Sequence, residues 1–222
     1  IADRRRARHA AETEDAEAGE ARPGARDAAD GAFETAVDEQ GGASHSEEDR
    51  ARYCELLRTL RAQQRNVVVV REPDIERPVS RTPRIDVWWG GLQGNGALLM
   101  VLGYLLRTSI PWRHATAKLK MVVPNEKAAE GALRNLRAVV EDTRTGLEPE
   151  ILVADGRDAF DVLRDASADA DMVLAGMRSP GEEDFAEYYA RLQRRTRGMP
   201  RTLFVLAAEE LAFRDVLLRE GE

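Results

Sequence analysis

Four glycines fall within a single short stretch, Trp89-Gly90-Gly91-Leu92-Gln93-Gly94-Asn95-Gly96, between an apolar strand-like run and an apolar helical run. A glycine-rich turn that opens a helix lets backbone N–H groups approach a phosphate at the helix N-terminus. Gly90, Gly91, Gly94 and Gly96 are therefore the candidate phosphate-contacting residues, with a nucleotide as the cofactor class they would take. No Lys-Ser or Lys-Thr pair follows, so the stretch is not a P-loop, and its spacing departs from the dinucleotide fingerprint. The same glycines serve a tight turn that needs positive φ, so the sequence assigns no cofactor outright. A second glycine-bearing loop, Gly176-Met177-Arg178-Ser179-Pro180-Gly181, follows another strand-like run. No Gly-Ser or Gly-Thr follows this loop, which continues as Glu182-Glu183-Asp184-Phe185, so nucleotide binding there is not expected.

Nothing in the chain reads as a catalytic constellation. His9 and His45 lie in a low-complexity front, leaving His114 alone beside Trp112 and Arg113, and acid–base work needs a positioned partner. There is no Gly-x-Ser-x-Gly elbow and no Cys-His pair on plausible elements. Cys54 is the one cysteine; it excludes an intramolecular disulfide and a multi-cysteine metal site and reads as a small apolar residue on a helix. Glu182, Glu183 and Asp184 form an ordinary acidic first turn. Asp86 is unusual, because it interrupts a strand; alternation points it away from Ile85 and Val87, toward Arg84 or a helix dipole, in a structural role. The expectation is no catalytic residue, no metal site and no enzyme.

The elements that position these residues follow from periodicity. Ser46-Glu47-Glu48-Asp49 supplies an N-cap and an acidic first turn to an amphipathic helix through Tyr53, Leu56, Leu57 and Leu60. Asn66-Val67-Val68-Val69-Val70 lacks alternation and predicts a strand covered on both faces. After an extended connection broken by Pro73, Pro78 and Pro83, strands are expected at 84–89, 118–123, 150–154, 171–176 and 202–207. They alternate with helices at 96–107, 125–142, 158–166 and 183–197, and a last helix at 209–218 closes the chain. Such alternation is the signature of right-handed βαβ crossovers. The expected fold is α/β, a three-layer sandwich with a mainly parallel sheet of five to six strands, and the pattern resembles that of the universal stress proteins, a family that binds ATP with a glycine motif after a strand such as 171–176. Residues 1–46 are poor in bulky apolar side chains and predict a disordered or loosely helical linker; residues 47–222 form the α/β domain.

The chain carries 33 Lys and Arg against 40 Asp and Glu, a net charge of −7, so its overall field repels phosphate backbones and anionic lipid. Nucleic acid is not an expected partner. The most apolar run, Leu98 to Leu106, is about half the ~20 residues a bilayer span needs, so no direct membrane insertion is expected. The first residue is Ile1 and no leader pattern opens the chain, which reads as a piece of a longer polypeptide.

One further pattern spans the folded part. Ile85-Asp86-Val87-Trp88-Trp89, a glycine turn, Leu98-Leu99 through Tyr104-Leu105-Leu106, Trp112-Arg113 and the strand 118–123 occur in that order. Together they resemble the second half of the cytosolic C-terminal domain of cation-chloride cotransporters. The resemblance continues through Ala170-Asp171-Met172-Val173-Leu174-Ala175-Gly176, Tyr188-Tyr189-Ala190-Arg191-Leu192 and Met199-Pro200-Arg201-Thr202-Leu203-Phe204-Val205, and covers roughly residues 50–218. It implies a regulatory and dimerisation domain on the cytoplasmic face of the cell membrane, attached to a secondary-active transporter of the amino acid/polyamine/cation superfamily. Its partners would be the membrane domain of the same transporter and a second copy of the chain. The long phosphorylatable insertions of animal members are missing, which fits a prokaryotic-type member or an amino acid permease. The alternative is a nucleotide-sensing α/β module of a permease. Trp88, Trp89, Trp112, Tyr188 and Tyr189 are the aromatics that could serve interfaces, with core packing the favoured use.

Overall fold

The computed structural model describes residues 47–75, 78, 80, 82–90, 94–181 and 184–208. The expected linker at 1–46, including its cap Ser46, and the expected last helix at 209–218 lie outside the described residues. So do Gly91, Glu182 and Glu183.

Among the described residues, six strands form one sheet in the order β1-β6-β5-β2-β3-β4. They are β1 (Val67–Arg71), β2 (Arg84–Trp88), β3 (Thr116–Val123), β4 (Glu148–Val153), β5 (Met172–Gly176) and β6 (Arg201–Leu206). All neighbours pair in parallel except β1 and β6, which are antiparallel. The helices are α1 (Glu47–Ala62), α2 (Gly96–Thr108), α3 (Glu126–Thr143), α4 (Ala159–Ala166) and α5 (Phe185–Arg195), with a short 3-10 turn at Ile110–Trp112. The chain winds outward from β2 through β3 to β4, then crosses back to the other side of β2 for β5 and β6. Right-handed crossovers in opposite directions place their helices on opposite faces.

The strand pleat decides which residues meet which layer. Ile85 and Val87 of β2, Ala117 and Leu119 of β3, and Met172 and Leu174 of β5 share one face with the buried part of α2, Ala97 to Val101, and with Leu136 of α3. Each such fully buried aliphatic side chain contributes about 1.5–3 kcal/mol. Gly103 brings α2 close to the sheet, since a Cβ there would lie 3.1 Å from Val87 Cγ2. The other face carries Asp86 and Trp88 and is covered by α4 and α5, with α1 packed beside α5 and against β1. The ring of Tyr53 in α1 lies 5.3 Å from that of Tyr189 in α5 at a tilt, and Phe185 stacks on the same Tyr189 ring at 6.2 Å. The result is the expected three-layer α/β sandwich.

Local chemistry sets the helix ends. The Asn125 side chain accepts from Ala128 N at the start of α3, and Arg144 closes that helix in the left-handed region. Asp158 accepts from Phe160 N and Asp161 N to open α4. Its carboxylate also pairs with Arg195, at the end of α5, tying the two helices together.

Two expectations change. β1 is not covered on both faces: it is an edge strand, and Val68 and Val70 are 39% and 53% exposed. Its run of valines records strand propensity rather than burial, because the β-branched side chain suits the pleat at an edge as well as at the centre. Asp171 sits just before β5 rather than within it. Its carboxylate accepts from Ser80 N and Arg84 N, both at 2.8 Å, and so holds the connection that enters β2.

Candidate functional site

The two glycine-bearing loops leave the carboxyl ends of β2 and β5, which are neighbours in the sheet although β3 and β4 intervene in sequence. This is the topological switch point, where open α/β sheets place ligands. Asn95 fills it. Its Nδ2 donates to Met177 O at 2.7 Å, and its Oδ1 accepts from Ala207 N at 2.8 Å. One side chain thus ties the loop after β2 to the ends of β5 and β6. Gly176 allows this approach, since a Cβ there would stand 3.0 Å from Asn95 Nδ2 and 3.2 Å from Asn95 Cβ.

The candidate glycines divide around Asn95. Gly94 has φ +66° and is exposed, so the turn uses it for its left-handed conformation. Gly96 is buried as the first residue of α2, and Gly90 is exposed in open space. Asn95 precedes α2 but makes no side-chain cap bond to it, because its amide is engaged across the crevice. The second loop is held just as firmly. Met177 is buried and donates its N–H to Val205 O. Arg178 pairs with Asp184 at 3.2 Å and lies over the Tyr188 ring. Two arginines of α1 reach over from the side: Arg58 Nε donates to Pro180 O at 2.9 Å, and Arg61 donates to Ala207 O.

A second constellation lies beneath α4. Asp86 and Lys120 are 0% and 2% exposed. Lys120 Nζ is 2.9 Å from Asp86 Oδ2 and also donates to Ala166 O at 2.9 Å. Ser167 Oγ donates to Asp86 Oδ2 at 2.8 Å and accepts from Trp88 Nε1 at 3.0 Å. Arg84 completes the set, with Nε 3.3 Å from Asp86 Oδ1 and Nη2 donating to Ala166 O. Two cations therefore meet the carboxyl end of α4, where the helix dipole favours positive charge. A serine, a lysine and a carboxylate in mutual reach are the parts of a nucleophilic site. All three are withdrawn from solvent, and the serine proton is directed to Asp86. The arrangement instead fixes the docking of α4 on β2 and β3.

Sequence reasoning found Asp86 and its structural role, but not Lys120, Ser167 or Asn95. A signal for Lys120 was present: strand alternation puts it on the face opposite Leu119, and that is the face Asp86 takes on its neighbour strand. Ser167 and Asn95 carry no sequence signal, because both act on elements distant in the chain. His114 is exposed and accepts from Arg113 Nε at 3.0 Å. Cys54 is buried against α5, and burial pushes its thiol up, opposed by Arg58 and Arg50. Trp88, Tyr188 and Tyr189 are core residues, and Trp89 and Trp112 pack half-buried on the opposite core. Among the described residues, no group of three or more His, Cys, Asp or Glu is placed to hold a metal ion. No described helix is long and apolar enough to cross a membrane.

No protein-family model matches the chain, and no curated protein sequence matches it. Among solved structures, the fold is similar to the cytoplasmic domain of a prokaryotic cation chloride cotransporter, with a TM-score of 0.55 and 13% identity. The match covers 79% of this chain and 65% of that one, so the chain spans just under two thirds of its neighbour's length. At that identity the likeness is one of fold.

Proposed function

We propose that this chain is a non-enzymatic regulatory domain of a secondary-active membrane transporter of cation-chloride cotransporter type. It lies on the cytoplasmic face and acts through contacts with the transporter's membrane domain and with a second copy of itself. The observation that carries this reading is one of position. The Ile85 to Trp89 block, the Leu98 to Leu106 block and the Trp112-Arg113 link fall on β2, α2 and the turn into β3, within a fold shared with a cotransporter's cytoplasmic domain. A domain of this kind biases a transporter only if it contacts two of its conformations differently. The non-enzymatic reading is supported by the burial of Asp86, Lys120 and Ser167, the cluster best equipped for chemistry.

The competing reading is a nucleotide-sensing module, and the adjacency of the two glycine-bearing loops favours it. The occupation of that crevice by Asn95, whose amide is bonded at both ends, weighs against it. Light scattering and thermal unfolding of the full chain, with and without millimolar ATP, separate the two. The regulatory reading expects a dimer mass and no nucleotide-dependent shift. A monomer stabilised by one nucleotide, with the shift abolished in Gly94→Val, overturns it in favour of the sensor.

A further inference from the structure

The backbone of β1 turns hydrogen-bonding groups outward. Met177 N donates to Val205 O at 2.9 Å, so the N–H and C=O of Val205 point to β5 and away from β1. Val68 stands opposite Val205, and along an antiparallel pair the facing residues alternate between exchanging both bonds and exchanging none. Val67, Val69 and Arg71 therefore bond to β6, while Val68 and Val70 present their N–H and C=O to the open side of the sheet. Their side chains are exposed as well, at 39% and 53%. They share a face with Val205 and Leu203, the residues opposite them in β6.

The two edges of the sheet are built differently. At the far edge β4 carries Pro149, which has no N–H, between Glu148 and Glu150, and Glu150 pairs with Lys118 at 3.0 Å. Proline and charge are the usual guards of an edge strand. β1 reads Val-Val-Val-Val-Arg, with no proline and no carboxylate, and its register with β6 runs unbroken from Val67 to Arg71. Its one charge, Arg71, is engaged by Asp74 at 2.9 Å. An edge left straight, apolar and unguarded is a template for another strand.

We infer that β1 pairs antiparallel with β1 of a second copy of this chain, across a twofold axis at Val69, so that two sheets become one. Val68 then exchanges both main-chain bonds with the partner's Val70, and the two Val69 residues face each other without bonding. The residue types choose this register. Centring on Val69 uses the whole of β1, sets valine against valine at positions 68, 69 and 70, and places Val67 opposite the partner's Arg71. Centring on Val68 would set Arg65 opposite the partner's Arg71, and like charges directly opposite are destabilising. Centring on Val70 would set Val68 against the partner's Glu72. A twofold interface uses the same patch on both copies, and β1 is complementary to itself, which names the second copy as its occupant. In strand addition the affinity comes from main-chain bonds, which the outward groups of Val68 and Val70 supply. The inference rests on the reading above that the chain pairs with a second copy, and it adds the surface and the register.

The test is sedimentation equilibrium of the full chain, which is expected to be a dimer. The double variant Val68→Lys, Val70→Lys sets like charges opposite each other wherever position 68 of one copy meets position 70 of the other, and should weaken the dimer about tenfold or more. The double variant Val68→Lys, Val70→Glu sets opposite charges at the same places and should recover most of that loss. Val70→Pro removes an outward N–H while sparing the bonds to β6, and should weaken the dimer as well. Leu56→Lys, at an exposed position of α1, should leave it unchanged. Circular dichroism of every variant should match that of the parental chain, because the substituted side chains face solvent, and this separates lost pairing from a lost fold. A dimer that survives Val68→Lys, Val70→Lys intact overturns the interface and leaves the second-copy reading standing. A parental monomer overturns both. Equal dimer affinities for the two double variants overturn the register, and the inference with it.

Discussion

Lys120 Nζ lies 2.9 Å from Asp86 Oδ2 with both side chains withdrawn from water, and the two strands that carry them are neighbours in the middle of the sheet. Removing Lys120 leaves the buried Asp86 carboxylate with only the part-exposed Arg84 and the Ser167 hydroxyl, and breaking a buried pair costs up to about 3–5 kcal/mol. Lys120→Met should lower the denaturation midpoint accordingly. The double variant Asp86→Asn, Lys120→Met should recover much of the loss, since replacing both charges removes the desolvation penalty as well. Urea titration of the parental chain, Asp86→Asn, Lys120→Met and the double variant gives the coupling directly.

Asn95→Ala removes two hydrogen bonds and leaves Met177 O and Ala207 N without their partner. A loss of about 1–3 kcal/mol is expected in the same titration. Gly176→Ala should be destabilising beside an intact Asn95 and better tolerated in the Asn95→Ala background, because the clash of its Cβ is with that side chain.

Gly94 and Gly90 make a matched pair. Gly94→Ala places a Cβ at φ +66°, where an L side chain costs about 1 kcal/mol or more, although the space around it is open. Gly90→Ala meets neither obstacle and should leave the melting temperature unchanged. Equal effects at the two positions would mean that the turn does not depend on the left-handed conformation.

Alkaline pH should weaken the fold. Burial raises the folded pKa of Cys54 above 9.0, and burial together with the nearby Tyr53 hydroxyl raises that of Tyr189 above 10.0. Their contributions are fully present below those unfolded values and are lost as pH rises through the folded ones. Stability measured from pH 8 upward should therefore fall, with Cys54→Ala flattening the first part of the decline and Tyr189→Phe the later part. At the acid end, the N–H of Gly198 and the charge of Arg71 hold Asp74 below 3.8. Its contribution is present above 3.8 and lost as pH falls below it. Because that carboxylate is half exposed, Asp74→Asn should change the acid limb only slightly.

The exposed edge of β1 carries its own expectation. Val70→Lys should leave stability unchanged, because Val70 already faces solvent, and should reduce concentration-dependent self-association, as charges on edge strands do. Light scattering over a concentration series reads this.

The sequence by itself determined the layers. Alternating strand and helix runs in the order found leave a parallel sheet with helices on both faces as the economical solution, and the pleat alone told Asp86 from Ile85 and Val87. These are local properties, carried by period and by the steric preferences of each residue. What only the tertiary structure decided is which distant pieces meet. The crossover after β4 brings β5 beside β2, and that adjacency sets Asn95 against Gly176 and Met177 and brings Ser167 to Asp86. It also left β1 at an edge, where four valines in a row had suggested the interior. Strand order is a global choice among pairings that the local pattern permits equally, so the contacts that depend on it, including those that fill the strand-end crevice, cannot be read along the chain.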